Sequence, residues 1–191
     1  TIMQAMRVPV RVKVLTDSLT GEPAIHHPVE FMTWGQGSRL AIAPAFSDDS
    51  VLVVETDASG VAQAYWRLGE KSGTQILKLD AGNISGSPRL VTATASPAFP
   101  ALLLLTDGNE QSGIIGSRLN KAFRVRVTDL YRNPVADVQV RFTSTFDGTF
   151  DGAPMVTKMT NSSGEAACFY TLGPTSGYAH VARAEAYVEE R

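Results

Sequence analysis

The chain has 191 residues, 43% of them hydrophobic and 19% charged, with a net charge of −2 at neutral pH. That is enough apolar material for two small cores, while no apolar run approaches the roughly 18 residues of a membrane-spanning helix. The charge balance offers no basic face for nucleic acid, and the lone cysteine, Cys168, excludes an intramolecular disulfide.

The chain opens Thr1-Ile2-Met3, with neither an initiator methionine nor a basic-then-apolar leader, and reads as an excised or processed chain. Val10-Arg11-Val12-Lys13-Val14 alternates apolar and polar residues with period two, the pattern of a half-buried strand. His26, His27 and Glu30 stand close together in the next strand-like stretch. Adjacent side chains on a strand point to opposite faces, so these residues do not converge on one ion. Residues 34–50 read as a surface loop carrying Trp34, Gly35, Gly37 and Phe46. Asp48-Asp49 lacks the dense acidic spacing of a calcium loop. Ala58-Ser59-Gly60 is a turn, and Gln75-Ile76-Leu77-Lys78-Leu79 alternates weakly.

Pro97 and Pro100 then stiffen a short linker, after which Leu102 to Leu105 begins a second set of strands. Arg124-Val125-Arg126-Val127-Thr128 and Val138-Gln139-Val140-Arg141-Phe142 alternate clearly. Turn formers separate them: Arg132-Asn133-Pro134, Asp147-Gly148, Asp151-Gly152, Asn161-Ser162-Ser163-Gly164 and Gly173-Pro174. The stretch from Asp147 to Gly152 is expected to be solvated turn. No window sustains a helical period. Short strands between frequent turns predict an all-β chain of antiparallel sandwiches, 1–97 and 98–191.

The two halves repeat one another. Thr56, Ser59, Gly60, Ala62, Leu68, Gly69, Ser72 and Gly73 return as Thr160, Ser163, Gly164, Ala166, Leu172, Gly173, Ser176 and Gly177, every pair 104 positions apart. Tyr65 and Trp66 are answered by Phe169 and Tyr170. Earlier in each half, Pro23, Val29 and Phe31 match Pro134, Val140 and Phe142 at an offset of 111, and Asp17 matches Asp129 at 112. One extra residue is therefore expected in the first turn of the first copy, and seven more in residues 34–50. A period near 100 residues is the size of a domain rather than of a solenoid unit.

The recurring residues have physical jobs. Gly60 and Gly164 close a turn and are expected at positive φ, as are Gly73 and Gly177 at the last hairpin. Thr56 and Thr160 end one strand, Ala62 and Ala166 begin the next, and Phe31 and Phe142 belong to the cores. Shared residues are therefore scaffold, and a specific activity belongs in the unshared parts: residues 34–50, the segment from Asp147 to Gly152, and the segment from Leu79 to Leu90.

In order, Val127-Thr128-Asp129, Asn133-Pro134-Val135, Val140-Arg141-Phe142, Thr160-x-x-x-Gly164-x-Ala166 and Leu172-Gly173-x-x-x-Gly177 resemble the bacterial Ig-like domain of the invasin and intimin type (group 1). The first copy shows the later motifs as Thr56-x-x-x-Gly60-x-Ala62 and Leu68-Gly69-x-x-x-Gly73. The resemblance implies two tandem immunoglobulin-like antiparallel β-sandwiches, placed outside the cell on a bacterial surface. It also implies a stalk whose partners are the neighbouring Ig-like modules of the same array.

Catalytic signatures are missing from the sequence. His180, on an expected strand, has no Ser-His-Asp context, Gly-x-Ser-x-Gly is absent, and no glycine loop leads into a helix. Cys168 reads as a small buried strand residue. The expectation is a non-enzyme without cofactor or metal. Besides the stalk, two readings remain open. One is direct adhesion to a host-surface protein or glycan through Trp34, Gln36, Arg39 and Phe46. The other is a filament subunit that assembles by strand addition, because the first copy has few residues before Val10 and the second has no counterpart of Leu90 to Ala95. Both ends thus read as cut from a longer array or completed by a neighbour. In line, two such domains are expected to span roughly 70 to 80 Å.

Overall fold

The computed structural model describes residues 8–16, 20–43, 49–144, 147–177 and 179–187. All regular structure among them is strand. The chain divides into two compact units, Thr1–Ser96 and Pro97–Arg191.

The first unit contributes β1 (Val10–Lys13), β2 (Pro28–Thr33), β3 (Arg39–Ala41), β4 (Val51–Glu55), β5 (Val61–Arg67), β6 (Gly73–Asp80) and β7 (Arg89–Ala95). They form two antiparallel sheets, β1-β5-β3 and β4-β2-β6-β7. Alternation decides which side chains fill the space between the sheets. In β5 the inward set is Ala62, Ala64 and Trp66; in β2 it is Val29, Phe31 and Thr33, all of them buried. Trp66 and Phe31 are wholly enclosed, and an aromatic ring removed from water stabilises a core by about 1.5–3 kcal/mol.

The second unit contributes β8 (Leu102–Asp107), β9 (Phe123–Thr128), β10 (Gln139–Ser144), β11 (Thr149–Phe150), β12 (Met155–Met159), β13 (Glu165–Cys168), β14 (Tyr170–Thr171) and β15 (Ala182–Tyr187). Its sheets are β13-β9-β8, the short pair β11-β14, and β12-β10-β15, every pairing antiparallel. The core gathers Val125, Val127, Val140, Phe142, Phe150, Ala166, Cys168 and Tyr170. Phe150 and Tyr170 meet with ring centroids 4.8 Å apart. Both units are therefore immunoglobulin-like antiparallel sandwiches: the alternation and turn spacing predict the sandwiches, and the family resemblance implies their immunoglobulin-like form.

The register shows how closely the two units correspond. Phe31 faces Leu79 across β2 and β6, and Phe142 faces Ala184 across β10 and β15. Leu40 faces Trp66, and Phe150 faces Tyr170. Gly60 and Gly164 adopt φ of 76° and 71°, as expected, and a β-carbon on either would lie 2.7 Å from the Val14 carbonyl oxygen or 2.5 Å from that of Val127. Gly73 and Gly177 also have positive φ.

Three expectations are corrected. Residues 34–50 are not one loop, because β3 divides them and places Leu40 in the core. Most of the extra length follows β3: residues 42–50 join β3 to β4, whereas residues 151–154 suffice between β11 and β12. The stretch from Asp147 to Gly152 is not solvated turn throughout, since it contains β11 and the fully buried Phe150. In the first turn, Thr16 bonds through its amide to Glu22 as Asp129 does to Asn133. The counterpart of Asp129 is thus Thr16, one position earlier than expected, and the turn is two residues longer rather than one. Asp17 itself lies outside the described residues.

Candidate functional site

Trp34 and Gln36 lie on the connection between β2 and β3, and Arg39 opens β3 opposite Arg67. Phe46 lies outside the described residues. The Trp34 side chain is 52% exposed, which is unusual for the largest apolar residue type. Beneath it the backbone is held firmly. The Gln36 carbonyl accepts the Glu70 amide at 2.8 Å, and the Gly35 carbonyl accepts the Ser38 amide at 3.2 Å. The Arg39 guanidinium donates to the Ser38 carbonyl at 2.7 Å.

Ser38 is the residue that sequence reasoning missed. Its hydroxyl, fully buried, receives the Trp66 indole N–H at 3.0 Å and lies 2.7 Å from the Thr33 hydroxyl. Buried hydroxyls need such partners, and together these three anchor both ends of the connection to the core. The second unit solves the same problem differently: the Tyr170 hydroxyl lies 2.8 Å from that of Ser144 and 3.2 Å from His180 Nδ1. A β-carbon on Gly148 would fall within 2.0 Å of the Tyr170 oxygen. The pairing of an aromatic polar group with a small residue just before the facing strand could have been read from Trp66 with Ser38 and from Tyr170 with Gly148.

The histidines serve local structure. His26 sits in a turn at φ 55°, not on a strand, and faces Glu55 at 3.3 Å in an exposed pair. His27 donates through Nε2 to the Ala81 carbonyl at 2.9 Å. His180 precedes β15 instead of belonging to a strand, and packs edge-on against Tyr170. Among the described residues no three His, Cys, Asp or Glu side chains cluster as metal ligands would. Cys168 is buried at the end of β13, and burial, reinforced by the Asp151 carboxylate, pushes its thiol up to about 12. It is therefore neutral at physiological pH and unreactive while β13 stays paired. Asp151 bonds the Phe169 amide, which separates β13 from β14, and pairs with Lys158 at 2.8 Å.

A further concavity lies wholly within the second unit. It is a groove of about 730 Å³ running between β8 and β15. Leu103, Leu105, Phe123, Phe142, Ala182 and Ala184 contribute to its walls. Leu105 and Ile115 are 53% and 50% exposed on its surface. Polar residues including Gln111 and His180 also line it.

No family model and no curated protein matches the chain. Among solved structures, the D0-D1 domain of intimin aligns over 96% of this chain and 85% of its own, at 15% identity and a TM-score of 0.34. An adhesin of Yersinia pseudotuberculosis aligns over 93% and 50%, at 20% identity and 0.38. A glycosyl hydrolase family 2 member from Bacteroides cellulosilyticus aligns over 84% and 20%, at 17% identity and 0.37.

Proposed function

We propose that this chain is a non-catalytic presentation module of a bacterial cell-surface adhesin, in which two Ig-like units act as stalk for a binding element carried elsewhere. The observation that carries the reading is the identity of what the two units share. The Asp57 carboxylate receives the amides of Ser59 and Val61, and the Asn161 side chain receives those of Ser163 and Glu165. Thr56 and Thr160 each bond two backbone groups of the segment leading into β2 or β10. Gly60 and Gly164 close turns, and the shared Val29 and Val140, Phe31 and Phe142, and Ala62 and Ala166 fill the cores, so these shared residues serve the scaffold. Duplication has multiplied a support. The resemblance of the ordered motifs to invasin-type and intimin-type domains favours the bacterial surface as its place.

Small-angle scattering of the soluble chain tests the proposal, with a span of roughly 70 to 80 Å expected for units joined in line. A compact profile overturns it. A second reading, direct adhesion, is favoured by the half-exposed Trp34 on its firmly held connection. Binding of the isolated chain to host cells or arrayed glycans, lost in Trp34→Ala, would replace presentation with adhesion.

A further inference from the structure

The turn between β12 and β13 carries Asn161-Ser162-Ser163, the Asn-x-Ser pattern in which an asparagine side chain accepts a sugar. All three residues are exposed. Patterns this short recur by chance, and what distinguishes this one is the geometry of its turn. The Asn161 amide donates to the Glu165 carbonyl at 2.9 Å, and the Gly164 amide to the Asn161 carbonyl at 2.8 Å, so the backbone is held closed. The two ends of the Asn161 side-chain amide are used differently. Its oxygen, Oδ1, receives the backbone amides of Ser163 at 2.9 Å and Glu165 at 3.0 Å, and two donors on one end identify that end as the oxygen. Its nitrogen, Nδ2, bonds to nothing among the described residues.

The first unit builds the same turn without an amide nitrogen. Asp57 takes the amides of Ser59 at 2.8 Å and Val61 at 3.0 Å on its Oδ1, and the Ser59 hydroxyl donates to the same oxygen at 2.6 Å. A carboxylate therefore serves the turn as asparagine does, and the fold does not call for Nδ2. Nor does it call for the Ser163 hydroxyl, which makes no bond among the described residues where that of Ser59 does. The second unit thus adds to a shared turn an unengaged amide nitrogen and, two residues on, an unengaged hydroxyl. When Nδ2 acts as a nucleophile it gives up a proton, and the charge so formed gathers on Oδ1, where two N–H donors already point. The chain's other Asn-x-Ser, Asn83-Ile84-Ser85 between β6 and β7, has exposed Asn83 and Ser85 but no backbone amide on the Asn83 side chain.

We propose that Asn161 is an acceptor for N-linked glycosylation of the folded second unit. Nδ2 attacks the anomeric carbon of a sugar diphosphate, and the bond from that carbon to the diphosphate oxygen breaks. The diphosphate leaves with the electron pair, while the Nδ2 proton passes to a base of the transferase. The side-chain carbonyl stays on its two backbone amides, so the turn keeps its form and carries the sugar on its exposed side. This holds whether the chain presents another domain or adheres by itself.

The test presents the full chain to a soluble N-glycosyltransferase with UDP-glucose as donor, an enzyme chosen because it glucosylates a free peptide of residues 157–167. Intact mass and peptide mapping read the outcome. The folded chain should gain one hexose at Asn161, at least about tenfold faster than at Asn83. Asn161→Asp should take no sugar at this turn yet keep the urea midpoint of the second unit, since Asp57 holds the same turn in the first. Ser163→Ala should slow transfer about tenfold or more without moving that midpoint, and Ser163→Thr should restore the rate. Transfer to the peptide but not to Asn161 of the folded chain overturns the proposal, and so does transfer no faster at Asn161 than at Asn83. A rate that Ser163→Ala leaves unchanged overturns it as well. A clear fall in the urea midpoint of Asn161→Asp overturns it by assigning Nδ2 to the fold.

Discussion

The Asp129 carboxylate accepts the backbone amide of Ala98 at 3.0 Å, across 31 residues of sequence. The same carboxylate receives the amides of Tyr131 and Asn133 and the Asn133 side chain, each at 2.9 Å. One buried side chain thus closes the turn after β9 and fastens residue 98 to it. Burial alone would raise the Asp129 pKa, but the bonds from Asn133, Ala98 and Tyr131 outweigh it and hold the group below the usual carboxylate range.

Acid should therefore weaken the second unit through Asp129. A carboxyl whose folded pKa is depressed contributes stability that is complete above its unfolded value, near 4, and is lost as pH falls through the folded one. The expected outcome is an acid-unfolding midpoint that moves upward in Asp129→Asn, read by tyrosine and amide signals of the second unit between about pH 5 and 2. Thr16 takes this place in the first unit, so the variant should leave that unit's acid transition unmoved.

Thr160→Val should cost about 2–4 kcal/mol, because the Val138 amide and the Val135 carbonyl both lose their partner in a buried setting. Thr160→Ser keeps the hydroxyl and should recover most of that loss. Urea melts of the two variants check the difference, and Thr56→Val should act likewise on the first unit through Ala24 and His27.

Gly164→Ala should destabilise the second unit by about 1–3 kcal/mol, since the new β-carbon meets both an unfavourable φ and the Val127 carbonyl oxygen. That oxygen also accepts the Val135 amide, so relieving the clash disturbs the neighbouring bridge. Calorimetry should show one transition lowered and the other unchanged.

The two tryptophans should separate cleanly in fluorescence. Trp34 is half exposed and Trp66 fully buried, so acrylamide should quench the first and spare the second. Trp34→Ala should change stability by no more than about 0.5 kcal/mol, the ordinary range for a surface substitution. Trp66→Phe should cost about 1–3 kcal/mol, because the core loses ring volume and the Ser38 hydroxyl loses the indole N–H while keeping Thr33 as partner.

Much of the fold was legible because its strands alternate. Val125 and Val127, or Val10 and Val12, declare their inward faces by period two alone. β3 and β11 did not, because three and two residues are too few to show a period. Leu40 and Phe150 are core residues only through their partners on the facing strands, Trp66 and Tyr170. Of the expected binding residues, sequence located Trp34 on an exposed connection but not the Ser38 hydroxyl that anchors it. The groove was not legible, because its apolar lining depends on which residues β8 and β15 bring face to face. Ala182 and Ala184 stand out as small only after their alignment with Leu77 and Leu79.

Cys168 gives the second unit a clock. Its neutral thiol is sealed between paired strands, so an alkylating reagent can reach it only in the moments when β13 parts from β9. Being the chain's single cysteine, it is also unaccompanied by any crosslink that would halt the strands once they begin to part. A molecule that bears tension would then carry a record of it, written irreversibly as one labelled sulfur in each molecule whose second unit has been pulled open.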